Sequence, residues 1–216
     1  MKSVRILVAD DHEVVRRGVC ALLESQPGWV VVGEAVTGRE AVKKAVKLQP
    51  DVVVLDISMP ELNGLEATRQ IVKAAPQSEV LILTIHDSEQ VARQVLAAGA
   101  RGYVLKSDAG RNLVTAIDTL QQHKPFFTTA VSEMVFRDFL KSNRSVDEAP
   151  SDRLTQRERE IVQLLAEGKS NKEVASMLGI SVKTAETHRR NVLMKLNLHS
   201  ISDLIHYAIR NKIIEI

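Results

Sequence analysis

The chain has 216 residues, room for one large domain or two small ones, and its 44% apolar and 26% charged residues exclude wholesale disorder. Its longest aliphatic runs, such as Val52-Val53-Val54-Leu55, fall far short of the roughly 18 apolar residues of a membrane span, and no signal-peptide layout precedes Val4-Arg5-Ile6-Leu7-Val8, so a cytoplasmic protein with no membrane partner is expected. Residues 1–150 hold 18 Lys and Arg against 19 Asp and Glu, whereas residues 151–216 hold 11 against 8, so a near-neutral body carries a small basic tail of the kind that meets nucleic acid.

Residues 1–123 read as five repeats of strand then helix. Strands are expected at Val4–Asp10, Val30–Ala35, Asp51–Asp56, Glu79–Ile85 and Gly102–Lys106. They are short and nearly unbroken in Val, Ile and Leu, as in parallel strands buried on both faces. Helical patterns lie between them, such as Glu40 to Val46 and Val91 to Leu96. This alternation predicts an α/β fold, a doubly wound five-stranded parallel sheet with helices on both faces. The lone Cys20 excludes an internal disulfide, and its apolar neighbours predict a buried thiol.

A further helix is expected over 128–142, with Val131, Val135, Phe136 and Phe139 at helical spacing. The polar, proline-containing stretch 142–151 then reads as a linker. Beyond it the period stays helical. Thr155-Gln156-Arg157-Glu158 and Ser170-Asn171-Lys172-Glu173 are capping boxes that start two helices, which Gly168 and Gly179 stop. Ser181 caps a third, to about Leu196, and Ser200 a fourth, to about Lys212. Four helices with one very short turn form a small all-α helix-turn-helix layout. Gly168-Lys169-Ser170 imitates the end of a phosphate-binding loop, but no strand precedes it and a helix stop followed by a cap accounts for it.

Four polar features fall at equivalent strand ends: Asp10-Asp11 after the first, Asp56 after the third, Thr84 at the fourth and Lys106 at the fifth. Ligands of open parallel sheets bind at the carboxyl ends of the strands, near the point where strand order reverses. Three carboxylates there repel one another unless a cation joins them, and an oxygen-only donor set suits Mg²⁺. A lysine ammonium and a threonine hydroxyl beside them make a cradle for phosphate oxygens. Any one of these residues alone reads as a turn, a cap or a solvated end. The set points to phosphoryl transfer onto a carboxylate, with Asp56 as the nucleophile.

Asp10-Asp11, Asp56-Ile57-Ser58-Met59-Pro60 with Asn63-Gly64, Thr84, and Gly102-Tyr103-Val104-Leu105-Lys106 resemble the receiver domain of two-component response regulators, over about residues 3–123. The resemblance implies a flavodoxin-like sheet and phosphoryl transfer from a histidine kinase to Asp56. It also implies Mg²⁺ held by Asp10, Asp11, Asp56 and the backbone carbonyl of Ser58, with Thr84 and Lys106 on the phosphoryl oxygens and Tyr103 rotating as a switch. Ser58 and His86 would border the path of attacking water. A half-buried strand aromatic is the plain alternative for Tyr103, and a loop residue that for His86.

In the third tail helix, steps of about 100° put Ala185, Val192, Leu193 and Leu196 toward the core. Lys183, Glu186, Thr187, Arg190 and Met194 lie opposite, and Thr184, His188, Asn191 and Lys195 on a flank. A polar, basic outer face entered from a short turn suits the major groove of double-stranded DNA. Lys183, Glu186, Thr187 and Arg190 are then the candidates for base edges, and Thr184, His188, Asn191 and Lys195 for phosphates. Arg189 falls near the apolar side and is not assigned to bases. Residues Leu154 to about Ala208 resemble the LuxR-type helix-turn-helix, with Ala185 where that pattern usually has Val. The whole chain thus resembles the NarL/FixJ class: a receiver over 1–123, a helix and linker over 124–152 and a DNA-binding domain over 153–216. The resemblance implies a homodimer on phosphorylation, with contacts from Ile201, Leu204, Ile205 and Ala208, and RNA polymerase as a further candidate partner; with Ile209 these residues make a wide apolar stripe, part of which must pack on its own domain. The expectation is therefore a phosphorylation-controlled, DNA-binding transcription regulator and not an enzyme with a diffusing substrate. A small phosphotransfer enzyme with a helical accessory domain, for which no further general base and no substrate loop speak, and a receiver whose tail binds protein are the alternatives.

Overall fold

A computed structural model describes residues 3–127, 131 and 154–214. The expected linker, and the expected helix 128–142 apart from Val131, lie outside the described residues. The chain divides into two compact units.

The first unit holds β1 (Val4–Ala9), α1 (Glu13–Glu24), β2 (Trp29–Ala35), α2 (Gly38–Leu48), β3 (Val52–Leu55), α3 (Gly64–Ala74), β4 (Glu79–Thr84), α4 (Glu89–Ala98), β5 (Gly102–Leu105) and α5 (Ala109–Gln121). All strand pairings are parallel, in the order β2-β1-β3-β4-β5. Successive strand residues alternate between faces, so Ile6, Val8, Val52, Val54, Leu81, Leu83 and Val104 meet Val19 and Leu23 of α1 and Leu113, Ala116, Ile117 and Leu120 of α5. Leu7, Val53, Leu55 and Ile82 are buried on the other face, on the side of α2, α3 and α4. Burial on both faces is why these strands are continuous aliphatic runs.

Four of the five strands end one residue earlier than expected, whereas β2 ends at Ala35 as expected. β1, β3 and β5 stop one residue before Asp10, Asp56 and Lys106, and β4 ends at Thr84. A ladder-bound residue must send its side chain above or below the sheet, whereas one past the last pair can turn toward the edge. Cys20 is also corrected: it is half-buried against the α1 side of the core, and desolvation, with Glu34 and Glu24 adding, pushes its thiol up to about 11.

The second unit contains α6 (Gln156–Ala166), α7 (Asn171–Leu178), α8 (Val182–Lys195) and α9 (Ile201–Arg210). Both capping boxes form: Thr155 accepts from the Glu158 amide and Ser170 from that of Glu173, and each glutamate reaches back to its cap amide. Such a cap is worth about 1 kcal/mol. Gly179 closes α7 at φ +64°, where a Cβ would be strained. Two residues, Ile180 and the cap Ser181, separate it from α8. The core gathers Ile161, Val162, Leu164 and Leu165 of α6, Val174, Ala175 and Leu178 of α7, Ala185 and Val192 of α8, and Leu204 and Ala208 of α9.

Candidate functional site

Strand order reverses between β1 and β3, because the chain leaves β1 toward β2 on one side and returns to β3 on the other. Asp10 and Asp56 stand at that crevice, only 3% and 2% exposed. Lys106, opening a short 3₁₀ turn after β5, places its Nζ 2.8 Å from Asp10 Oδ2 and 3.0 Å from Asp56 Oδ2. Asp56 Oδ1 accepts from the Ile57 amide at 2.8 Å, and Asp10 Oδ1 from the His12 amide at 2.9 Å. Burial pushes the Asp56 carboxyl above its usual range; Lys106 pulls it down and Asp10 pushes it up again. Desolvation acts to lower Lys106, but its bonds to the two carboxylates prevail and hold the ammonium above the usual lysine value. Two buried acids sharing one ammonium leave an excess of negative charge, which a divalent cation can neutralise.

The donor set fits that ion. Carboxylate oxygens of Asp10, Asp11 and Asp56 lie within 4.8 Å of one another, and Asp11 is exposed toward solvent. Oxygen donors with room for water suit Mg²⁺. The six histidines show no metal-ligand spacing in the sequence, yet His12 brings a ring nitrogen into the same cluster. Its position directly after the Asp pair was the available signal.

The remaining expected residues gather at the same edge. Thr84 is fully buried, stands opposite Leu105 in the β4–β5 ladder, and its Oγ1 accepts from the His86 amide at 3.2 Å. Ser58 Oγ and His86 Nε2 lie 3.2 Å apart, so the two residues flanking the site make one bridge. Tyr103 points inward, 2% exposed, and its hydroxyl donates to the His86 carbonyl. Desolvation, with Asp87 adding, pushes its phenol up to about 12. Gly64 packs against this loop so closely that a Cβ would lie 2.0 Å from the Asp56 carbonyl oxygen, and its amide donates to Ile57. Only glycine allows the start of α3 to approach the Asp56 backbone in this way.

In the second unit, α8 turns Ala185 and Val192 into the core, with Leu193 and Leu196 half-buried. Lys183, Glu186, Thr187, Arg190 and Met194 are exposed together, as are Thr184, Asn191 and Lys195, while His188 and Arg189 are half-buried. Lys195 Nζ is 2.8 Å from Glu158 Oε2. The expected dimer set is corrected in two places. Leu204 and Ala208 are completely buried in the unit's own core and have no surface to offer a second chain. Ile201 is exposed and Ile205 half-buried. The wide apolar stripe of α9 serves first to close its own domain.

A parallel sheet with an ammonium clasped between two buried carboxylates at its crevice, on a chain that also carries a helix-turn-helix, defines a DNA-binding response regulator. Comparison with known proteins gives the same class. Residues 6–118 match the response regulator receiver domain, and residues 152–208 the bacterial regulatory proteins of the luxR family. The oxygen regulatory protein NreC of Staphylococcus carnosus is 37% identical over 98% of this chain and 100% of its own length. The transcriptional regulatory protein LiaR of Bacillus subtilis is 37% identical over 98% and 99%. Among solved structures, the RcsB response regulator of Salmonella typhimurium aligns over 96% of this chain and 97% of its own, with TM-score 0.62 and 29% identity. The chain therefore belongs to the two-component response regulators that join a receiver domain to a LuxR-type DNA-binding domain, the NarL family, and it regulates transcription.

Proposed function

We propose that Asp56 accepts a phosphoryl group from a histidine kinase, with Mg²⁺ held by Asp10, Asp11, Asp56 and the backbone carbonyl of Ser58. The observation that carries this reading is the Lys106 ammonium lying 2.8 and 3.0 Å from Asp10 and Asp56 at the sheet's switch point. A carboxylate oxygen of Asp56 attacks phosphorus, the bond from phosphorus to the donor nitrogen breaks, and the donor imidazole leaves. Lys106 and the Thr84 hydroxyl then donate to the transferred oxygens. Bound Mg²⁺ supplies positive charge to the crowded carboxylates and phosphoryl oxygens.

The transferred group brings about −1.5 to −2 charge, which redirects Lys106 and Thr84. The buried Tyr103 hydroxyl, bonded to the loop that carries His86, links this change to the α4–β5 surface. Phosphorylation then shifts the chain toward a dimer, to which Ile201 and Ile205 contribute. The receiver spans 1–123, the connecting segment 124–152 and the DNA-binding domain 153–216, in a cytoplasmic protein. Among the described residues no helix is long and apolar enough to cross a membrane. On DNA, Lys183, Glu186, Thr187 and Arg190 read bases, and Thr184, His188, Asn191 and Lys195 meet phosphates. A solved complex of the response regulator RcsB with DNA supports DNA as a partner. RNA polymerase is a further partner.

The test is intact-mass analysis after incubation with Mg²⁺ and a small phosphodonor. One phosphoryl group is expected on the wild type and none on Asp56→Asn, because the amide does not attack. Undiminished uptake by the variant overturns the assignment. Sedimentation of both forms with DNA across salt checks assembly, and affinity that does not fall with salt excludes phosphate-backbone binding.

A further inference from the structure

His12 caps the N-terminus of α1 with its backbone in an extended conformation and with no capping bond from its side chain. Its ring Nδ1 lies 2.9 Å from Asp11 Oδ1 and 3.5 Å from Asp10 Oδ1. A ring nitrogen of His12 and carboxylate oxygens of Asp10, Asp11 and Asp56 all fall within 4.8 Å of one another. Two ligands on opposite sides of one small ion, each at roughly 2.1 Å, stand about 4.2 Å apart, so small side-chain adjustments bring all four onto a single cation. Lys106 and His12 address different oxygens: the ammonium takes Oδ2 of Asp10 and Asp56, and the imidazole approaches Oδ1 of Asp10. The imidazole can therefore engage an ion without displacing the lysine. The His12 side chain is 65% exposed, so its ring can reorient without disturbing the core.

We propose that His12 is a fourth protein donor at the divalent-cation site, which makes this receiver accept imidazole-preferring first-row metals alongside Mg²⁺. The inference rests on the reading of the strand edge as a cation site. Three carboxylates alone favour hard ions such as Mg²⁺ and Mn²⁺. A neutral imidazole adds little for Mg²⁺ but raises affinity along the series from Mn²⁺ to Ni²⁺. The His12 amide bond to Asp10 is made by the backbone and survives any side-chain change, so a His12 variant keeps the local turn.

The experiment uses the full chain with Mn²⁺ as probe. Loss of the free-ion signal in electron paramagnetic resonance reports binding, and pulsed measurements report any nitrogen bonded to the ion. Wild type is expected to bind Mn²⁺ with nitrogen modulation, and His12→Phe to bind it without. Competition titration should show Ni²⁺ affinity falling about tenfold or more in His12→Phe, with Mg²⁺ affinity changed less than about threefold. Mn²⁺ bound without nitrogen coupling in the wild type, or coupling that persists in His12→Phe, overturns the role of His12 and leaves the carboxylate site standing. Absence of Mn²⁺ binding overturns the cation site itself, and His12's role with it.

Discussion

At the sheet edge, Asp10, Asp56 and Lys106 come from three strand ends, 46 and 50 residues apart along the chain. In the tail, Lys183, Glu186, Thr187 and Arg190 occupy one helix within eight consecutive positions. The first arrangement exists only when the parallel ladder is complete, and it concentrates charge in a buried place. The second exists as soon as α8 forms, and its side chains stay in water. Electrostatic changes should therefore act strongly on the fold of the receiver and weakly on that of the tail. The tail should instead respond to its caps, and otherwise only when DNA is present.

The largest effect is expected from removing the shared cation. Without divalent metal, Lys106→Ala leaves Asp10 and Asp56 buried with no ammonium, and loss of one partner from a buried pair costs about 3–5 kcal/mol. Denaturant unfolding in chelator should show that loss, with Mg²⁺ restoring part of it. Asp56→Asn should move stability the opposite way. The folded Asp56 carboxyl is raised above its ordinary value of 3.8. Its contribution to stability is present below that ordinary value and is lost as pH rises through the raised one. The variant should thus unfold a few degrees higher than wild type at neutral pH, with the gap closing in acid. Equal stability of wild type and both variants in chelator would mean that the cluster is well solvated, and the contrast between the units would fail.

A smaller change is expected on DNA. Arg190 can donate two hydrogen bonds to a guanine edge, worth about 1–3 kcal/mol of discrimination. Arg190→Ala should weaken binding to a specific duplex by that amount and barely alter binding to a scrambled one. Equal losses on both duplexes would mean that another face of α8 enters the groove. Ser170→Ala removes one half of a capping box and should cost about 1 kcal/mol. Hydrogen exchange is the suitable probe: faster exchange in the first turn of α7, with the sheet of the receiver unaffected, would show that the tail's stability is locally held.

The smallest effect concerns Lys195, which a reading of the helix alone assigns to phosphate. Its pairing with Glu158 ties α8 to the first turn of α6. An exposed pair of this kind contributes about 0–1 kcal/mol. If Lys195 leaves Glu158 for a phosphate, Lys195→Ala should flatten the salt dependence of DNA binding by about one unit of slope. An unchanged slope would assign Lys195 to the fold instead.

Much of this was legible in the residues. Unbroken aliphatic runs announced parallel strands, and the two capping boxes and Gly179 fixed where the tail helices begin and turn, because caps and turns are local chemistry. The period of α8 also separated Ala185 and Val192 from Lys183 and Arg190, since a helix has one geometry. What the sequence left open depended on neighbours distant in the chain. Whether the thiol of Cys20 is fully or half covered is decided by the elements packed around it. The width of the α9 stripe shows that part of it must pack on its own domain, but only the packed unit shows that this part includes Leu204 and Ala208. The approach of Gly64 to the Asp56 carbonyl, the Ser58–His86 bridge and the place of His12 among the carboxylates likewise arise only in the folded sheet. Local periodicity set the elements and the kinds of donor at the strand ends, and tertiary packing decided which of those donors meet.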